Sequence, residues 1–293
     1  MPRKQTSANI SIAGYGDIFK AGTADGERIV ELPLAELHPP EFHPFQVKRD
    51  EAMERLVWSV KQHGVREPGL ARPRAAGGYE LLCGNRRKLA CEIAGTPTLP
   101  VIIREMSDEA AAIAMVDSNL QQREKLLPSE KAWAYRIKME ALNHSGIKGE
   151  YYSFEVMVAQ TGESKNQIYR LIQLTKLVDA LLDKVDARGL AFNPAVELSY
   201  LSYDEQHLVA EAMERHGVRP SLSQTVRLKK LKQAGTLTNE VIDAVLAEDK
   251  KPPQGEPTGG ARFRKFFPPE YSPKQIEAVI IKLLRAWKGG APA

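Results

Sequence analysis

The sequence predicts an α+β chain with a small mixed α/β unit first, an all-α unit after it and a short helical module last. Three observations carry this. Between residues 28 and 104, short apolar runs bounded by turn signals alternate with helical spacing. After Ser107 the strand signals stop, and helical patterns follow one another to residue 248. A Pro/Gly-rich stretch, 249–260, then separates these from a final helical pattern.

Residues 1–26, with Gly14, Gly16, Gly22 and Gly26 and little periodicity, read as a flexible arm. The 27–108 unit opens with a strand at Arg28–Leu34. Asp50 caps a helix whose apolar positions Met53, Leu56, Val57 and Val60 share a face, and Gly64 ends it. A strand near Gly69–Arg72, a Gly77-Gly78 turn and a strand at Tyr79–Cys83 make a hairpin signal. A helix carrying Leu89 and Ile93 stops at Gly95, and Leu99–Arg104 is a further strand.

The 109–236 unit holds helices expected at about 108–120, 128–143, 154–160, 164–174, 176–187, 194–200, 203–216 and 223–233. Ser202 and Glu205 form a capping box. A helix at 239–248 and the stretch after it make up the 237–260 helix and linker. The 261–293 module pairs the aromatic and basic run Arg262-Phe263-Arg264-Lys265-Phe266-Phe267 with a Pro-started helix, Pro273–Trp287. Ile276, Val279, Ile280, Leu283 and Leu284 on that helix suit pairing with a second copy or packing within the module.

At 293 residues the chain is long enough for two or three domains, and at 43% hydrophobic and 27% charged it is globular in composition. No apolar run reaches a membrane span and no apolar region follows Arg3 and Lys4, so the expectation is a cytoplasmic protein without membrane contact. Its two cysteines, Cys83 and Cys91, fit neither a zinc site nor a disulfide framework. Charge is uneven: residues 217–293 carry 14 Lys/Arg against 7 Asp/Glu, whereas residues 111–216 carry 12 against 15. A basic C-terminal quarter favours a polyanionic partner, with a solvated basic face as the alternative.

Two motifs carry chemistry. In Cys83-Gly84-Asn85-Arg86-Arg87-Lys88, an apolar strand passes through a glycine turn into a helix that starts with three cations. Unpaired N–H groups at a helix N-terminus, with guanidinium groups beside them, bind phosphate, either of a nucleotide or of a nucleic-acid backbone. Residues 154–174 have the pattern of a helix-turn-helix: Val156, Val158 and Ala159 face inward, Gly162 turns, and Ser164 caps a second helix packed through Ile168, Leu171 and Ile172. Ser164, Lys165, Asn166, Gln167, Tyr169 and Arg170 are then left where a recognition helix meets base edges. An ordinary helical hairpin is the competing reading. Further on, Arg227, Lys229, Lys230 and Lys232 make a basic helix suited to phosphate contact, or to simple solvation.

Together these motifs resemble the ParB family of partition proteins, over residues 28–235 and, in the mobile-element subgroup, into the C-terminal module. Gly84-Asn85-Arg86-Arg87-Lys88-Leu89-Ala90 is similar to the family's G-E-R-R-x-R-A box, and Ser118-Asn119-Leu120-Gln121-Gln122-Arg123 to its E-N-L-Q-R motif. His63–Leu70 is similar to its H-G-x-x-Q-P segment. The resemblance implies a ParB/sulfiredoxin-like N-terminal fold that binds CTP through Gly84, Asn85, Arg86, Arg87, Asn119, Gln121 and Arg123, with Mg²⁺ near Asn119. It also implies a homodimer on a centromere-like inverted repeat in double-stranded DNA, forming a nucleotide-gated clamp for plasmid, mobile-element or chromosome segregation, and a Walker-type (ParA-like) ATPase partner met by the N-terminal arm.

Departures from the family pattern bear on chemistry. The box glutamate is Asn85, the acidic residue of the second motif is Ser118, the loop glutamine is Glu67, and an extra residue enters around Gln121–Arg123. Mg²⁺ usually takes one or two carboxylates besides phosphates, so phosphate binding survives and CTP hydrolysis stays open. A sulfiredoxin-like thiol chemistry needs a cysteine after the box glycine, where Asn85 stands, and the six scattered histidines show no ligand spacing for a nuclease. The serious alternative is a site-specific transcription regulator using the same helix-turn-helix without clamp or partition work.

Overall fold

The computed structural model describes residues 28–122, 126–144, 150–248, 266–268 and 270–288. By its contacts the chain divides at Leu246 into a large unit and a C-terminal one. In the large unit β1 (Ile29–Pro33) leads through a 3₁₀ turn (Leu34–Glu36) to β2 (Leu37–His38), then α1 (Glu51–His63), the hairpin β3 (Gly69–Pro73) and β4 (Tyr79–Cys83), α2 (Asn85–Ala94) and β5 (Thr98–Ile103). The strands form one sheet in the order β1-β5-β3-β4-β2. β1 runs antiparallel to β5 and β3 antiparallel to β4, whereas β3 with β5 and β2 with β4 are parallel. α2 therefore carries the chain from β4 past β3 to β5 on its far side.

The near-continuous apolar runs of β3, β4 and β5 follow from burial on both faces. Successive strand residues point to opposite sides. Ala71, Leu81 and Val101 join Met53 and Val60 of α1 and Ala90 of α2 in one core. Their neighbours Leu70, Leu82 and Ile102 join Ala111 and Ala114 of α3 (Asp108–Gln122) in another. The sheet is the middle layer, and the end of β4 delivers Gly84 to the head of α2.

α4 (Pro128–His144), α5 (Glu150–Thr161), α6 (Lys165–Leu174), α7 (Asp179–Asp186), α8 (Phe192–Leu198), α9 (Tyr203–His216), α10 (Leu222–Gln233) and α11 (Asn239–Ala247) follow. Ala134, Tyr135, Met139 and Leu142 of α4 pack with Ile168 and Leu171 of α6 and Met115 and Val116 of α3. Phe45, from the loop before α1, is buried in the same core at 2% exposure, so this loop is plugged into the helical layer. A further core gathers α7 to α11 around Leu181, Leu198, Val209, Leu228 and Ile242. In the C-terminal unit, α12 (Pro273–Lys288) starts behind a reciprocal pair: the Ser272 N–H donates to Gln275 Oε1 at 2.8 Å, and the Gln275 N–H to Ser272 Oγ at 3.4 Å.

The α+β architecture and the Ser202–Glu205 capping box match the sequence expectation. β2 and the 3₁₀ turn were not expected, because two- and three-residue elements are too short to show a period. α5 starts at Glu150 rather than 154. The helix expected from 176 begins at Asp179, because Thr175, Lys176 and Leu177 close α6 in successive turns and Val178 is extended. α8 starts at Phe192, which puts Pro194 in its first turn, where a missing N–H costs nothing. The 1–26 arm, the 249–260 linker, residues 261–265 and Arg123 lie outside the described residues. Among the described residues no helix is long and apolar enough to cross a membrane.

Candidate nucleotide cleft and DNA interface

Gly84 turns β4 into α2 with φ 110° and ψ 10°, a left-handed conformation that disfavours side chains. A Cβ there would also lie 3.2 Å from Gly69 Cα, so the turn is held tight against β3. No side chain caps α2, which leaves its first-turn N–H groups and positive dipole end for an anion. These groups open onto a cleft of about 580 Å³ lined by Gly84, Asn85, Arg86 and Arg87, by Ser118 and Asn119 of α3, by His43, Gln46, Lys48 and Asp50, and by Glu67 and Glu130.

The cleft's charged groups hold one another in place. Arg86 Nη2 lies 3.2 Å from Asp50 Oδ1. The Met53 N–H that Asp50 caps, helped by Arg86, keeps that carboxyl below the usual carboxylate range. Arg87 Nη1 donates to the backbone carbonyls of Glu67 at 2.5 Å and Pro68 at 2.6 Å, which fixes the loop ahead of β3. A guanidinium has five donors, so both arginines keep N–H groups for a phosphate. Lys88 instead pairs with Glu92 along the helix at 3.5 Å.

Ser118 and Asn119 enter from α3. The Ser118 hydroxyl is buried, donates to the Met115 carbonyl at 3.0 Å and accepts from the Cys83 thiol at 2.9 Å. Burial pushes that thiol up to about 11, so it is neutral at ordinary pH and no nucleophile. Asn119 Nδ2 donates to the Met115 carbonyl at 2.8 Å, which turns its amide oxygen into the acceptor available for a cation. Gln121, expected at the phosphates, lines a different cavity with Asp117, Tyr135 and Lys138. Two residues along a helix rotate by roughly 200°, so Asn119 and Gln121 cannot face the same cleft.

His43, Gln46 and Glu130 were not foreseen. Glu130 is 4% exposed, and its carboxylate accepts from the Gln46 N–H at 2.8 Å and the Leu127 N–H at 3.0 Å. Asp50 is likewise committed to Met53 and Arg86. The residues present therefore fit a polyphosphate well, and for Mg²⁺ they offer the Asn119 amide oxygen and Glu67, which also lines the cleft, besides the phosphates themselves. Among the described residues no group of His, Cys, Asp and Glu is clustered as a metal site.

The helix-turn-helix forms, but its first helix packs inward through Phe154 and Met157, with Val156 and Val158 half-buried and Ala159, expected on the inner face, exposed. The Gly162 N–H closes α5 on the Val158 carbonyl at 3.0 Å with φ 70°, and Ser164 Oγ accepts from the Gln167 N–H at 3.2 Å. Ile168 and Leu171 are buried, while Ser164, Lys165 and Asn166 are exposed and Gln167 and Arg170 half-buried. Tyr169 is exposed beside Tyr200, and Arg170 donates to Asn193 Oδ1 at 2.5 Å while lying 5.2 Å over the Phe192 ring. α8 and the residues after it thus extend this surface through Asn193 and Tyr200, which no local motif announces.

The basic helix α10 splits in two. Lys229 Nζ pairs with Glu197 at 2.9 Å and lies 3.7 Å over the Tyr200 ring, and Lys232 pairs with Glu205 at 3.1 Å. Arg227 and Lys230 are exposed. Lys229 and Lys232 thus brace neighbouring helices through acidic partners on α8 and α9.

A model of the ParB N-terminal domain family matches residues 19–120. A nucleoid occlusion protein of Listeria monocytogenes serovar 1/2a (strain EGD-e) is 30% identical over 203 residues, covering 68% of this chain and 67% of that protein. A probable chromosome-partitioning protein ParB of Pseudomonas putida is 30% identical over 195 residues, 64% of each chain. The chain thus spans about two thirds of the length of these relatives. Among solved structures, the truncated chromosome-partitioning protein ParB of Caulobacter crescentus complexed to the centromeric parS site is 22% identical, covering 74% of this chain and 98% of that one with a TM-score of 0.41. The same protein complexed with CTP-γ-S is 24% identical, covering 64% of this chain and 99% of that one with a TM-score of 0.31.

Proposed function

The chain belongs to the ParB family, and we propose that it is a sequence-specific DNA-binding protein of the partition and nucleoid-occlusion kind, gated by CTP. The observation that carries this reading is the joining, in one compact unit, of an uncapped helix head flanked by Arg86 and Arg87 with a helix-turn-helix whose second helix exposes Ser164, Lys165, Asn166 and Tyr169.

In this reading Ser164, Lys165, Asn166, Gln167, Tyr169 and Arg170 meet base edges of an inverted repeat, while Arg227 and Lys230 contact phosphates and set register. Arg86, Arg87 and Lys48 at the head of α2 would hold the triphosphate of CTP, and the Asn119 amide oxygen would help hold a Mg²⁺ that neutralises phosphate charge. Nucleotide then favours the closed form of a DNA clamp only by binding it more tightly than the open form. With Asn85 and Ser118 in the cleft and Glu130 and Asp50 already engaged, hydrolysis is slow or absent.

The exposed Leu283, Leu284 and Trp287 of α12 suit a homodimer contact. A Walker-type ATPase partner belongs to this reading by family membership alone. Direct titration tests the core of it: CTP should bind with Mg²⁺, ATP and GTP more weakly, and Arg86→Ala should weaken binding of the CTP triphosphate. Equal binding of all three, or none, would contradict it. The second reading, a site-specific transcription regulator without a clamp, is favoured by the missing carboxylates. It predicts site binding that ignores CTP.

A further inference from the structure

Tyr200 lies outside the helix-turn-helix, in the turn between α8 and α9, yet three helices hold it. From α10, Lys229 Nζ sits 3.7 Å from the centre of its ring, and Lys232 Nζ donates to its carbonyl at 2.9 Å. Both lysines are themselves pinned, Lys229 by Glu197 of α8 at 2.9 Å and Lys232 by Glu205 of α9 at 3.1 Å. The Tyr200 N–H closes back on the Glu197 carbonyl at 3.4 Å. From α6, Tyr169 hydrogen-bonds the Tyr200 side chain; burial first, and that bond second, push the Tyr200 phenol above its ordinary value. Gripped in this way, both rings still stand open, Tyr169 at 44% and Tyr200 at 36% exposure. Ordering a large ring at the surface costs conformational freedom that core burial does not offset, so the pair is built as a contact surface.

Tyr169 follows Lys165 by four residues and Asn166 by three, so it shares their face of α6, away from the buried Ile168 and Leu171. What the pair offers on that face is narrow. Its hydroxyls engage each other, and Lys229, stacked on it, already faces Glu197. A hydrogen-bonded base edge or a phosphate is therefore not its target, and ring carbon is what remains. In the major groove the apolar group on the base edges is the 5-methyl of thymine. Resting on the reading above, we propose that Tyr169 and Tyr200 form a specificity-determining pair that reads thymine by its methyl group, beside the polar contacts which that reading gives to Lys165 and Asn166. Because Tyr200 stands beyond α8, the pair carries the reading face past the helix-turn-helix.

The test uses the full chain and a duplex that the protein itself selects from a random-sequence pool. Each thymine of the selected half-site is replaced in turn by deoxyuridine, which deletes the methyl and leaves every hydrogen-bonding group in place. The wild type is expected to lose affinity about fourfold at one or two thymines, the transfer value of one buried methyl, and less than about 1.5-fold at the others. Tyr169→Ala with Tyr200→Ala should bind the thymine and uracil duplexes alike at those positions, while its affinity for an unrelated duplex stays within about twofold of the wild type. The uracil scan on the wild type needs no variant, so it stands even where the double variant fails to fold. A selected half-site without thymine, a scan with no sensitive position, or sensitivity that survives in the double variant overturns the pair. Failure of the wild type to select any sequence overturns the function reading and this inference with it.

Discussion

Asn85, at the head of α2, directs its Nδ2 at His43 Nε2, 3.2 Å away, and donates to the Leu81 carbonyl at 3.3 Å. The contact to the Leu81 carbonyl needs a donor at this position, and a carboxylate is an acceptor only. Asn85→Glu therefore leaves the Leu81 carbonyl without that partner and sets a negative charge at the anion site. Urea unfolding should show a loss of about 1 kcal/mol. CTP affinity should fall as well, without phosphate release appearing.

The two box arginines separate in their effects. Arg86 pairs with an exposed carboxylate, whereas Arg87 clamps two loop carbonyls. Either change to alanine should weaken CTP by about 1.5–3 kcal/mol, the value of a hydrogen bond to a charged group. Only Arg87→Ala should also lower the melting temperature, and Arg87→Lys should restore neither property fully, since an ammonium lacks the fork.

The lysines of α10 should likewise divide. Lys230→Ala should weaken DNA binding uniformly across sequences and flatten its salt dependence by about one phosphate contact. Lys229→Ala and Lys232→Ala should leave the salt slope nearly unchanged and lower stability instead, because their charges already face Glu197 and Glu205. Equal slopes for all three variants would contradict the division.

Cys83 gives a pH prediction. Its thiol rises from an ordinary 9.0 to about 11 in the fold, chiefly by burial, while the unfolded thiol ionises at the ordinary value. A group whose pKa is raised on folding contributes stability fully below the unfolded value and loses it as pH rises toward the folded one. Stability should decline between pH 9.0 and about 11 by something on the order of 2–3 kcal/mol. Cys83→Ser should remove that slope. At pH 7 the native thiol should resist a thiol reagent that reacts once the protein is unfolded.

The sheet was legible because its strands carry continuous apolar runs and glycine turns, and α2, α6 and α9 because each has a readable start. Arg86 and Arg87 were legible as a local motif. Glu130 and His43 were not, because each lies about forty residues from that motif and reaches the cleft only when α4 and the loop before α1 close on it. Gln121 was misplaced for a reason helix geometry supplies: it sits on the other side of α3 from Asn119. Lys229 and Lys232 looked like DNA contacts because a charge count along one helix cannot see acidic partners on α8 and α9.

If nucleotide at the head of α2 gates a DNA clamp, crosslinking two copies of the protein on closed circular DNA carrying a selected inverted repeat, with CTP-γ-S and without, should reveal it. Salt-resistant circles trapped with protein are expected only when nucleotide is present, lost on linearising the DNA and lost in Arg86→Ala. Trapping that is the same with and without nucleotide would contradict the clamp.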